Sequence, residues 1–372
     1  MDIIKELLVD WGLSFFYLKL ILGVIFSFGL TFYSIPTIVK ISRRKNLMDE
    51  PGARSSHLRK IPNLGGIAIF YSLSVCASIF AFELFDVYKF LFASLIILLY
   101  IGVMDDIVVM RAYKKLFVQI IVTLLMVVGS DVRIRSFFGL FAIYELNYFV
   151  SVLVSMFTFI VLINAFNLID GIDGLAGSYS LISSALFGIS YFRLGEYNYP
   201  LVVLSGVIIG SVVGFLYYNL SNYRTNKVFM GDTGSMILGF LLAFTAINFI
   251  DIFIDKQNPQ IPRYYLQAAP AIAIAILILP IVDTLNVFCV RMFTGKSPFT
   301  ADKNHIHHSL LDLGLTHRRS TFYIIVYYLF IVLVAYYYRH LNVNVLLSIV
   351  LVLGFFGAYL PKLILKYRKN PN

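Results

Sequence analysis

Charge is scarce in this sequence. Only 13% of its 372 residues are Asp, Glu, Lys or Arg, while 59% are hydrophobic. A soluble domain carries roughly a quarter charged residues. So few charges cannot solvate a chain of this length, which excludes a water-soluble fold and turns most of the surface toward lipid. Cysteine is nearly absent as well. Cys76 and Cys289 both lie inside apolar runs, which supports neither a disulfide nor a thiolate metal site and reads as buried small hydrophobes. No short apolar region followed by small residues at a cleavage site opens the chain. A long apolar run begins at Trp11, so the first helix is expected to be retained. Internal repeats, low-complexity linkers and nucleic-acid signatures are missing too, and residues 1–372 read as one polytopic unit.

What the sequence has is long apolar runs. A spanning helix needs about 20 mostly apolar residues. That criterion predicts an all-α integral membrane bundle of about eleven helices, near 12–39, 65–85, 88–104, 116–130, 147–165, 174–192, 200–220, 233–254, 266–290, 320–338 and 341–362. The connecting segments alternate in charge. Arg43 to Lys60, Arg111 to Lys115, Arg224 to Lys227, Arg291 to Arg319 and Lys362 to Lys369 form a basic set with about 21 of the 30 Lys and Arg. Basic loops favour the cytoplasm, so these face inward, with the N-terminus outside and the C-terminus inside. The net charge of +10 is mostly this topology signal; anionic lipid and anionic substrate are secondary readings.

The unusual polar clusters all fall on that inward side, which points to one shared site. Asp105-Asp106 ends an apolar helix, where the dipole disfavours anions. Two adjacent carboxylates there call for a cation, and hard oxygen donors suit Mg²⁺ or Mn²⁺. The alternative is an interfacial pair neutralised by Arg111 or Lys114; a prenyl-synthase DDxxD is excluded because Val109 takes the fifth place. Lys115 and Gln119 share a helical face nearby, with Lys115 able to reach a phosphate. Asn167, Asp170 and Asp173, in the run NLIDGIDG, are expected on one helical face, thinned by Gly171 and Gly174; an ordinary Asp- and Gly-rich turn is the alternative. Gly231-Asp232-Thr233-Gly234-Ser235 opens the eighth span, where Asp232 or Thr233 reads either as an N-cap or as part of an anion and metal site.

The loop from Arg291 to Arg319 carries Arg291, Lys296, Lys303, His305, His307, His308 and His317. Zinc is disfavoured without a cysteine or an HExxH, which leaves hydrogen bonds and charge directed at a pyrophosphate. Asp283 lies inside the ninth span. An intramembrane acid reads either as functional or as a structural partner for a polar group.

Taken together, Asp105-Asp106, the run NLIDGIDGLAG from Asn167 to Gly177, GDTGS from Gly231 and HIHH from His305 resemble the polyprenyl-phosphate N-acetylhexosamine-1-phosphate transferases. Asp49-Glu50-Pro51, His57 and Pro62-Asn63-Leu64-Gly65-Gly66 also resemble that family's first cytoplasmic loop, so the likeness runs from about Asp49 to Arg319. Each motif is modest, and the five in order are specific. The resemblance implies ten or eleven helices in a bacterial cytoplasmic membrane, Mg²⁺, undecaprenyl phosphate as acceptor, a UDP-N-acetylhexosamine as donor and a homodimer. It makes Asp105, Asp106 and His307 catalytic candidates, and Asp232, Asp106 and Asp105 metal candidates. It assigns Asp49, Lys60, Lys115, Asn167, Asp170, Asp173, Ser235, Arg291, His305 and His308 to substrate. Ile306 breaks the histidine run that the phospho-MurNAc-pentapeptide translocases show as three in a row, and SPFTAD precedes it, which favours the GlcNAc-1-phosphate branch. The rivals are that translocase, another hexosamine specificity and, outside enzymes, a nucleotide-sugar or lipid transporter. A CDP-alcohol phosphatidyltransferase is excluded because Leu175-Ala176-Gly177 offers no Ala-Arg in register.

Overall fold

The computed structural model describes residues 15–48, 60–221, 223, 226–254, 266–293 and 305–369. The apolar runs become helices α1 (Phe15–Arg44), α2 (Gly65–Phe80), α3 (Leu91–Ile107), α4 (Ala112–Leu124, continued as one π turn over Leu125–Gly129), α5 (Tyr148–Ile169), α6 (Leu175–Leu194), α7 (Tyr199–Asn219) and α8 (Gly231–Ile252). Then follow α9 (Ala269–Ile276), α10 (Ile278–Phe293), α11 (Ile306–Asp312), α12 (His317–Tyr337) and α13 (Val343–Lys369). A two-stranded antiparallel hairpin, β1 (Ser136–Leu140) and β2 (Ile143–Glu145), joins α4 to α5. The molecule is a multi-pass, all-helical membrane protein.

Eight helices are long and apolar enough to cross a bilayer, and nine if the bent pair α9–α10 counts as one span. Eleven full-length spans are therefore not reproduced among the described residues. The shortfall lies in α2 and α3, with 16 and 17 residues, or about 25 Å at 1.5 Å per residue against a hydrocarbon core of about 30 Å. α2 starts at Gly65 as expected but ends at Phe80, before a separate short helix at Glu83–Val87, and the segment before it pairs with the strand-like stretch ahead of α8. Phe229 N–H donates to Pro62 O, Gly65 N–H to Phe229 O and Gly66 N–H to Met230 O.

The helices turn back at two opposite faces. One face gathers the ends of α3 and α5 and the starts of α8 and α12, and Arg368 near the end of α13 donates to Leu313 O there. At the other, Arg135 pairs with Asp251 and Asn344 donates to Gly139 O. The basic segments that the structure describes share the first face.

α8 is the hub. Of its spanning window, 94% is buried inside the protein, with Phe240, Phe244 and Phe249 fully enclosed. Glycines let its neighbours approach at the loaded end. A Cβ on Gly66 would lie 2.1 Å from Gly234 N, and one on Gly102 2.5 Å from Thr233 Cα, both inside backbone that cannot yield.

The α9–α10 pair bends by 77°. Pro280 has no N–H for the carbonyl four residues earlier, which is Ile276 O. Three buried hydroxyls replace it: Tyr179 at 2.7 Å, Tyr328 at 3.0 Å and Ser183 at 3.3 Å. A freed carbonyl inside a membrane protein must find such partners.

Gly66→Ala is expected to cost about 1–3 kcal/mol through overpacking, read as a lower melting temperature of the purified protein in detergent. Gly29→Ala, whose Cβ would meet nothing within 4 Å, should leave that temperature unchanged or slightly raised. Equal melting of the two variants would disprove the close junction.

Candidate active site

The site is built at the start of α8. Gly231 takes φ +71, and Met230 at the cap position contributes no side-chain bond. The first free N–H groups of the helix need an acceptor, and it comes from another helix. Asp106, at the end of α3, accepts from Asp232 N at 2.8 Å and from Thr233 N at 3.1 Å, and Thr233 Oγ1 donates to it at 2.6 Å. Asn63 Nδ2 donates to Asp106 O at 3.1 Å and ties in the segment before α2. The cap is thus Asp106, and neither Asp232 nor Thr233 caps its own helix. A Cβ at Gly231 would fall 2.6 Å from Asp106 Oδ1, so only glycine admits the grip.

Asp232 is left free to face the cluster. Its carboxylate pairs with Lys115 of α4, which also pairs with Asp105. Asp105 Oδ1 accepts from Met110 N at 2.7 Å, and the two carboxylates meet at the one ammonium. The cation beside Asp105 is thus Lys115, where the alternative reading had named Arg111 or Lys114. Asn167 Nδ2 donates to Ser235 Oγ at 3.2 Å, which places the end of α5 against the first turn of α8.

Asp170 and Asp173 do not share a helical face. α5 stops at Ile169, and Gly174 takes φ +78 with its N–H donating to Asn219 Oδ1 at 2.7 Å. The chain between them is a turn, so helical spacing does not relate the two side chains. Burial, and then the charges of Asp232, Asp106 and Asp173, hold the Asp170 carboxyl well above the usual carboxylate range. Burial also presses on Asp173, but its bonds to His317 and Lys227 outweigh it and hold that carboxyl below the usual range.

The histidine element closes over this turn. His307 is 1% exposed, and its ring packs so tightly on Gly171 that a Cβ there would sit 2.2 Å from Nε2. Burial, with His308, His305 and His317 nearby, drives its imidazole down to about 3 despite Asp283. His307 is therefore neutral at pH 7, and among the described residues its Nδ1 has no hydrogen-bond partner. His308 lies 4.4 Å from it, centroid to centroid. His305 Nδ1 meets Asp283 Oδ2 at 2.7 Å.

One face thus brings together Asp105, Asp106, Lys115, Asn167, Asp170, Asp173, Asp232, Ser235, His305, His307 and His308. Arg291 is buried near the end of α10, and Lys60 is exposed beside the segment that pairs with Phe229. Asp49, Lys296 and Lys303 lie outside the described residues. Among the described residues, no group of three or more His, Cys, Asp or Glu is arranged to hold a metal. Sequence reasoning missed Asn63, Asn219 and Lys227 as parts of the site. Lys227 carried a signal, a lysine directly before the apolar Val228-Phe229-Met230, but it counted only toward topology.

Comparison with known proteins gives one answer. The family model described as glycosyl transferase family 4 matches residues 87–250, which include Asp105, Lys115, Asp170 and Asp232. The undecaprenyl-phosphate alpha-N-acetylglucosaminyl 1-phosphate transferase of Yersinia pestis is 31% identical over 300 residues, 80% of this chain and 77% of that protein. The enzyme of the same name from Escherichia coli strain K12 is 29% identical, over 76% of this chain and 73% of that one. The probable undecaprenyl-phosphate N-acetylglucosaminyl 1-phosphate transferase of Bacillus subtilis is 30% identical, over 82% and 80%.

Asp106→Ala should destabilise the protein by about 1–3 kcal/mol, since two N–H groups and a hydroxyl lose their acceptor, and Asp106→Asn by less. An unchanged melting temperature for both would refute the cap. For His307, the folded pKa lies below the ordinary 6.5, so the unfolded chain binds the extra proton. Its contribution is complete above about pH 6.5 and is lost as pH falls toward about 3. His307→Gln is expected to flatten the acid side of the melting-temperature profile, whereas a profile parallel to wild type would contradict this.

Proposed function

We propose that this chain, which belongs to glycosyl transferase family 4, transfers N-acetylglucosamine 1-phosphate from a UDP-sugar to undecaprenyl phosphate, releasing UMP. The observation that carries this reading is the meeting of Asp105, Lys115 and Asp232, from three helices, on the basic face with Asp170 in their field. The names of the relatives supply the acceptor and the sugar. The product is a lipid-linked pyrophosphoryl sugar, the starting point for a cell-envelope polysaccharide. Basic segments at the same face support a cytoplasmic site, with the N-terminus on the other side of a bacterial inner membrane.

The chemistry brings two anionic phosphates together, and their repulsion is a large part of the barrier. The donor set fits a divalent cation. Asp105 and Asp232 offer hard oxygens already drawn to one ammonium, and Mg²⁺ is usually held by one or two carboxylates plus substrate phosphate rather than by an all-protein cage. Bound there, Mg²⁺ would neutralise charge developing on the transferred phosphoryl group. Lys115 is placed to turn from its carboxylates to a phosphate oxygen. Neutral His307, with an unsatisfied Nδ1, and His308 offer hydrogen bonds at the turn that holds Asp170. Asn167 and Ser235 fix the end of α5 on α8. Asp106 acts through the backbone of α8 by aiming Asp232.

Asp105 need not remove a proton. A phosphate monoester has a second pKa of about 6, so the acceptor is mostly dianionic at neutral pH. Direct attack of the lipid phosphate on the sugar-bearing phosphorus is the favoured course, with Asp105 a positioning group; a covalent aspartyl-phosphate is the alternative. A transporter would be expected to carry its ionisable groups near the bilayer midplane. Here they collect at one face, which favours the enzyme.

Purified protein with undecaprenyl phosphate, UDP-N-acetylglucosamine and Mg²⁺ should release UMP. Asp105→Asn, Asp232→Asn and His307→Ala are each expected to lose at least about 100-fold in rate, the scale of one electrostatic stabiliser. Near-normal turnover by Asp232→Asn would remove the metal assignment. Substrate uptake by sealed vesicles without UMP release would favour the transporter instead.

A further inference from the structure

Asp283 is the acid inside the membrane bundle that the reaction above leaves unused. It is 2% exposed and sits in α10, less than one turn after Pro280 has bent the chain. An ionisable group so placed is costly unless its partners are fixed. Both of its oxygens are engaged by the histidine element. Oδ2 meets His305 Nδ1 at 2.7 Å and Oδ1 accepts from Ile306 N at 2.8 Å. It also borders a small apolar cavity lined by Ile278, Val282, Ile306, Tyr327, Tyr328 and Gly354. A carboxylate can only accept. His305 must therefore carry a proton on Nδ1, which leaves its other nitrogen facing away from Asp283.

We infer that Asp283 is a positioning residue for sugar-nucleotide recognition, acting through His305. The inference rests on the proposed transferase reading. By fixing the ring of His305 and the first N–H of α11 together, Asp283 sets where the next turn of that helix stands. His307 and His308 belong to that turn, and the rings of His305 and His307 are nearly parallel, 9° apart at 5.5 Å. The same placement brings His307 onto Gly171, beside Asp170. Asp283 touches no substrate. It holds the histidine face at the height where a diphosphate between Lys115 and His307 meets both.

One amide cannot copy this grip. Asn at 283 has a single oxygen for two donors, and its NH₂ opposes either His305 Nδ1–H or Ile306 N–H. In the full-length protein, Asp283→Asn is expected to raise KM for UDP-N-acetylglucosamine several-fold and lower kcat about 10-fold or more, while KM for undecaprenyl phosphate stays unchanged. His305→Ala should do the same. The double variant Asp283→Asn/His305→Ala should be no worse than the poorer single, since both disrupt one linkage.

Wild-type constants in Asp283→Asn, or additive losses in the double variant, would overturn the inference. If the Asp283 variants fail to fold, His305→Ala decides alone, with a wild-type KM for the sugar nucleotide counting against it. Imidazole ¹⁵N shifts of His305 need no turnover. They should show the Nδ1–H form in wild type and its loss in Asp283→Asn, and a wild-type ring protonated on Nε2 alone would also overturn it. An inactive wild-type protein would instead refute the transferase reading.

Discussion

The grip of Asp106 on the start of α8 is the contact from which the site takes its shape. Helix starts present free N–H groups and partial positive charge, and this protein satisfies them with a carboxylate from a neighbouring helix rather than with a residue of its own. The consequence is geometric. α3 and α8 are locked end to end, Asn63 binds the backbone of Asp106, and the glycines at 66, 102, 231 and 234 remove every side chain that would hold these backbones apart. With its backbone N–H held from behind, Asp232 projects its carboxylate toward Asp105 and Lys115. A local cap would have left α3 free to slide, and with it Asp105.

Charge is spent sparingly around that joint. Asp105 and Asp232 share Lys115, and Asp173 has Lys227 and His317. Asp170 has the charges of Asp106, Asp173 and Asp232 around it instead. Carboxylates outnumber cations here, which is poor design for stability, because partly buried like charges repel and desolvation penalises each of them. The imbalance suits a site that receives a cation together with its substrates. The neutral imidazole of His307 fits the same logic: over a turn rich in carboxylates it offers a hydrogen bond without adding a permanent charge.

Much of this was legible in the sequence. Scarce charge and long apolar runs gave the membrane class, and the one-sided polar motifs named residues that the fold brings to one face. The roles of adjacent residues were not legible. Successive helical side chains diverge by about 100°, so Asp105 and Asp106, which read as one pair, face different partners. Likewise the three-residue spacing of Asp170 and Asp173 implies a shared face only if the helix continues, and it ends at Ile169. Helix length was misjudged at the far end of α2, where the apolar run continues but the helix stops at Phe80 and a separate short helix, Glu83–Val87, follows. The site contacts of Asn63, Asn219 and Lys227 were not legible because their partners lie 43, 45 and 54 residues away, and spacing rules see only neighbours.

The bend between α9 and α10 shows how a local defect becomes useful. Pro280 strips one carbonyl of its partner, and a cluster of hydroxyls from α6 and α12 repairs the loss. A straight helix would have carried residue 283 on along the axis of α9, away from the histidine element. Bent by 77°, α10 delivers a buried carboxylate to the start of α11. The hydroxyls that repair the break also fix its angle, since Tyr179 and Ser183 belong to α6, whose first turns follow directly on the loop of Asp170 and Asp173. The loop that bears these carboxylates and the histidines that cover it are therefore referenced to the same carbonyl, Ile276 O. Two motifs separated by more than a hundred residues keep register because one proline left one oxygen to be shared.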